Sequence, residues 1–100
     1  MDLTSHLLDD DALRQFIAKG YTLIQSDQSA EFHQQVCMHL DQVLEREGNP
    51  GNNILPRVPQ IGQVFDSAPV RGALTSLLGA DYSMHPHRYY HVNRPGGQGQ

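Results

Sequence analysis

Three histidines and an arginine crowd the last stretch of this 100-residue chain, Tyr82 to Gln100 (YSMHPHRYYHVNRPGGQGQ), and they are its most reactive grouping. His85, His87 and His91 carry imidazoles able to bind Zn, Fe, Ni or Cu, and Arg94 carries a guanidinium able to grip a carboxylate. At a period of two, His85, His87, Tyr89, His91 and Asn93 point to one face of a strand. Met84, Pro86, Arg88, Tyr90 and Val92 point to the other. A polar face of this kind is costly to bury without partners. It implies solvent, a hydrogen-bonded network or a site.

The preceding elements would have to position that strand. Asp9, Asp10 and Asp11 precede Leu13, Phe16 and Ile17 at helical spacing, so a short helix is expected from about Asp11 to Lys19, ended by Gly20. Tyr21 to Ile24 (YTLI) is rich in strand formers and reads as a first strand. Ser26, Asp27 and Ser29 each offer a cap for a longer helix with an apolar stripe of Phe32, Val36, Leu40, Val43 and Leu44, closed by Gly48. His33 and His39 lie off that stripe. Asn49 to Pro59 (NPGNNILPRVP) reads as an eleven-residue loop. Ile61, Val64 and Phe65 suggest one helical turn. Asp66 or Ser67 then caps a helix with Pro69 in its first turn, a stripe of Leu74, Leu77 and Leu78, and a stop at Gly79. Arg71 is expected to face solvent.

The chain-wide numbers exclude several classes. A formal charge of −4 with seven scattered basic residues lacks the cationic footprint of a nucleic-acid binder. One cysteine, Cys37, makes no internal disulfide and is expected to be a buried, inert thiol. No leader-like apolar segment and no run near the ~20 residues of a membrane span occurs, so a cytoplasmic protein is expected. There is no P-loop, G-x-S-x-G or C-x-x-C. One short strand beside one long strand is too little sheet to stand alone. Residues 1–100 are therefore expected to form the N-terminal portion of a single larger domain.

That order of elements, with FIAKGYTLI (Phe16 to Ile24), the capped helix from Ala30 and the turn Asn93-Arg94-Pro95-Gly96, resembles the phytanoyl-CoA dioxygenase family. The resemblance implies an α+β fold: the N-terminal helical shell and first strands of a double-stranded β-helix, jelly-roll or cupin-like and here incomplete. It implies a parent enzyme that hydroxylates an organic small-molecule substrate with Fe(II) and 2-oxoglutarate. The family's iron sits in a two-histidine, one-carboxylate triad whose H-x-D lies soon after the turn. No H-x-D follows the turn in this chain, so no metal ligand, no catalytic residue and no cofactor of its own are expected, and the chain alone should be inactive. By the same resemblance Arg94 matches a basic residue that contacts 2-oxoglutarate. His87, Tyr89, His91 and Asn93 would line the substrate cavity.

Two other classes stay open. Gly79-x5-His85-x-His87-x3-His91 is similar to a first cupin motif, with His91 at the position of its Glu, which would make His85, His87 and His91 a metal site. Pro86 between the ligands confines such a strand to an edge or bulge. Alternatively, the chain is a non-catalytic interaction module that offers this strand as a pairing edge.

Overall fold

A computed structural model describes residues 2–85, 89–92 and 95–96. All regular structure among them is helical, 61% of those residues, with no strand and no sheet. The expected α+β fold with β-helix strands is thereby corrected. Tyr21–Ile24 and the described part of the histidine stretch, residues 82–85 and 89–92, lie outside every regular element. The reason is that strand-forming side chains do not make a strand; a ladder of paired backbone groups does, and among the described residues neither stretch forms one.

The helix ends follow their local chemistry. In α1 (Asp10–Lys19) the Asp9 carboxylate accepts the Ala12 N–H at 2.8 Å, and Asp10 and Asp11 occupy the positive first turn. Gly20, at φ 81°, ends the helix by donating its N–H to the Phe16 carbonyl. Of the three candidate caps for α2 (Ala30–Glu47), Ser29 is the one used, accepting from the Phe32 N–H at 3.0 Å. The Ser26 hydroxyl is occupied instead, donating to Gln28 Oε1 at 2.7 Å.

Asn49–Pro59 departs from the loop expectation. It holds a 3-10 turn, Gly51–Asn53, and a single α-turn, α3 (Ile54–Arg57), closed by a Val58 N–H to Ile54 carbonyl bond of 2.8 Å. Pro56 is tolerated because a first helical turn leaves its N–H groups unpaired in any case. After α4 (Gln60–Phe65) comes α5 (Ala68–Leu78). Ser67 occupies the N-cap position of α5, but its hydroxyl donates backwards to the Val64 carbonyl at 2.6 Å. Leu78, expected in the buried stripe, is 65% exposed. Gly72 and Ala73 are the buried positions of α5.

The chain divides into two compact units, Met1–Gln28 with Gln63–Met84, and Ser29–Gly62 with His85–Gln100. In the second, Val43, Ile54 and Val58 form a buried apolar cluster, with Val36, Leu40, Ile61 and Tyr90 against it. In the first, a 3-10 turn at Thr4–His6 crosses α5 at Gly72, where any Cβ would run into the His6 carbonyl. The Leu8 N–H donates to Ser76 Oγ at 2.9 Å, and that hydroxyl donates to the Gly72 carbonyl at 3.0 Å. Small residues at positions 72 and 76, one above the other on the helix, let a second backbone lie against it. Among the described residues no helix is long and apolar enough to cross a membrane.

Gly72→Ala must displace the 3-10 turn and should cost about 2–3 kcal/mol in urea unfolding, although alanine is the better helix former. Gly62→Ala, with nothing within 4 Å of the added Cβ, should be neutral or stabilising. At the N-terminus the Thr4 hydroxyl and then the Thr4 N–H donate to the Asp2 carboxylate and lower its pKa below the ordinary 3.8. The folded-state value is depressed, so this contribution is present above the ordinary Asp pKa and is lost as pH falls through the lowered one. Thr4→Ala should move the Asp2 midpoint upward in an NMR titration.

Candidate functional site

The histidine stretch is held by its other face. Tyr90 packs on the Val43–Ile54–Val58 cluster, and its N–H donates to the Gly51 carbonyl at 2.9 Å. Burial still alternates along it: Tyr89 and His91 are exposed, and Tyr90 and Val92 are half-buried. The period-two pattern therefore survives without a strand among the described residues, and the Tyr90–Gly51 hydrogen bond and the packed Tyr90 ring both favour that facing. Tyr89 and His91 stand together, ring centroids 4.8 Å apart and planes at 48°.

Gly51 makes this docking possible. Its φ of 57° lies in the left-handed region, and a Cβ there would sit 3.0 Å from Tyr89 Cε2 and 3.3 Å from Cζ. Its own N–H donates to Asn49 Oδ1 at 2.8 Å. Asn49, Gly51 and the segment from Tyr89 thus form one folded connection.

Of the residues singled out in the sequence, this brings together Tyr89 and His91. His85 is exposed. His87, Asn93 and Arg94 lie outside the described residues, so the three-histidine set and the arginine at the turn are only partly placed. Among the described residues no group of three His, Cys, Asp or Glu side chains is arranged to hold a metal ion. One H-x-D string does stand in the chain, His39-Leu40-Asp41, but it lies within α2. Residues two apart on a helix do not face each other, so it cannot act as the strand-borne ligand pair of an iron triad. Cys37, expected to be buried, is exposed. His33, one turn before it on α2, meets the Phe32 ring edge-on at 5.7 Å.

A polar pocket of about 130 Å³ in the second unit has no counterpart in the sequence reading. His39, Gln42, Val43, Arg46 and Glu47 of α2 line it, with Arg57 from α3. Arg57 Nε and Glu47 Oε1 form an ion pair at 3.0 Å, and His39 Nδ1 lies 3.3 Å from Gln60 Oε1. The available signal was the seven-residue spacing from His39 to Arg46, which puts both on one helix face. Arg57 was hidden because its stretch reads as loop. In the first unit a wider open groove of about 410 Å³ runs between the 5–9 and 24–27 segments, with Asp9 and Asp27 on its walls. Asp9 is engaged there as the cap of α1.

With this geometry in hand, comparison with known proteins finds no matching family model, no matching curated protein and no matching solved structure.

Gly51→Ala should cost about 2 kcal/mol, combining left-handed strain with the Tyr89 clash. In a double-mutant cycle read by urea unfolding, Tyr89→Ala should recover the clash and leave the strain.

Proposed function

We propose that this chain is the N-terminal helical portion of an Fe(II)/2-oxoglutarate-dependent oxygenase related to the phytanoyl-CoA dioxygenases, acting on a small organic substrate in the cytoplasm. What supports the reading is the condition of the residues that carry the resemblance. Gly20 ends α1, and the apolar side chains that follow stay uncovered: Tyr21 is 53% exposed, Leu23 83% and Ile24 42%. Ile17, on the preceding helix, is 82% exposed. Four large apolar side chains exposed within eight residues are what a surface covered by further protein would present. A catalytic body is the covering that the reading supplies.

The chain's own residues do not fit an iron centre. No H-x-D follows Asn93-Arg94-Pro95-Gly96, the one H-x-D string is helical, and no three ligating side chains converge among the described residues. In such enzymes Fe(II) would supply the oxidising chemistry, with dioxygen as oxidant and 2-oxoglutarate as the co-substrate decarboxylated; on this reading the ligands of the metal come from outside these residues. The part left to this chain is to wall the substrate cavity with His87, Tyr89, His91 and Asn93, and to offer Arg94 to a 2-oxoglutarate carboxylate. The guanidinium fork suits that role by bidentate pairing.

The test has two arms. The 100-residue chain with Fe(II) and 2-oxoglutarate should release no carbon dioxide above the buffer control. The coding sequence beyond Gln100 should specify H-x-D within a few residues, then a distal His and Arg, and its full product should decarboxylate 2-oxoglutarate in an Fe(II)-dependent way. A continuation without H-x-D, or turnover by the 100 residues alone, contradicts the proposal.

A further inference from the structure

We infer that the pocket between α2 and α3 binds a small oxyanion, a carboxylate or a phosphate group. Its lining is rich in hydrogen-bond donors: two guanidiniums, Arg46 and Arg57, and the Gln42 amide, against one carboxylate, Glu47. That leaves a formal excess of at least one positive charge around a volume of about 130 Å³. Two guanidiniums facing one small space repel each other unless an anion lies between them.

The internal carboxylate answers only part of this. Glu47 meets Arg57 through Nε, which leaves the two terminal nitrogens of Arg57 outside that ion pair. The Arg46 guanidinium makes no hydrogen bond or ion pair among the described residues. Both side chains are therefore available as forks. A guanidinium is shaped to take two oxygens of one carboxylate or phosphate at once. Both ends of the pocket are placed by packed elements. His39, Gln42 and Arg46 share a face of an 18-residue helix, and Arg57 is carried by a turn locked down through Ile54 and Val58. His39 is further held by Gln60. The arms of the pocket are built before any ligand arrives, which lowers the cost of ordering them.

This inference does not depend on the oxygenase reading. It concerns residues 39–57, and its test uses the chain as it stands. Inorganic phosphate and, separately, acetate are titrated into the protein at low ionic strength, followed by calorimetry and by the amide and guanidinium NMR signals. At least one probe should saturate a single site, with the shifts centred on Arg46 and Arg57. Saturation by phosphate alone identifies a phosphate site, and saturation by acetate alone a carboxylate site. Arg46→Ala should weaken the binding about tenfold or more and Arg46→Lys, which keeps the charge but loses the fork, about threefold or more. Glu47→Gln, which removes the competing internal carboxylate, should strengthen it. Circular dichroism should give the same helix content for all three, since Arg46 and Glu47 are exposed. Absence of saturable binding by both probes overturns the proposal, as does binding of equal strength in Arg46→Ala with unchanged helix content.

Discussion

The contact of Val43 with Ile54 and Val58 is the interaction on which most of the second unit depends. Val58 is fully buried, and Ile54 and Val43 are each 6% exposed. A helix of four residues has no stability of its own, because forming its first turn is unfavourable. The α3 turn exists because residues 54 and 58, four apart, present two apolar side chains to the same face of α2. Fully burying one such side chain is worth about 1.5–3 kcal/mol, enough to hold a single turn but little more. What lies on that turn follows from it. Tyr90 has a surface to pack on, the Gly51 carbonyl is set to accept from its N–H, and Arg57 is delivered beside Arg46.

Apart from that cluster, Ala73 is the one hydrophobic side chain buried among the described residues. The fold compensates with backbone packing. At Gly72 and Gly51 the missing side chain lets a second segment come within contact distance, and in both places a hydrogen bond fixes it: Leu8 to Ser76, and Tyr90 to Gly51. Such contacts bury little apolar area, so much is left over. Leu23 and Ile17 are more exposed than any other large hydrophobic side chains described. A chain with this balance is short of covering, and the proposed function rests on that shortage.

The helix ends were legible from the sequence because they are set by neighbours. Asp9, Gly20, Ser29, Gly48 and Gly79 each act within four residues, through a side-chain cap or a glycine. The two expected strands were not legible in this way. YTLI and the histidine stretch have the right side chains, but a strand also needs a partner backbone, and composition does not report one. The 49–59 stretch misled in the other direction: its Gly, Pro and Asn content hid the Ile54–Val58 spacing that makes a helical turn. Of the candidate site, the inward and outward alternation of Tyr89 to Val92 could be read directly. The arginine pocket could not, since it joins α2 to a residue eleven positions beyond Arg46 through a contact that only the fold supplies.

Native-state amide hydrogen exchange on the 100-residue chain tests the central claim, that the regular structure of the described residues is helical and that residues 21–24 and 89–92 form no strand. The amides of Val58 and Tyr90, bonded to Ile54 and Gly51, should be protected, while those of Leu23 and Ile24 should exchange at rates close to an unstructured peptide. Alternating protection along residues 21–24 together with 89–92 would mean paired strands, and would contradict the account.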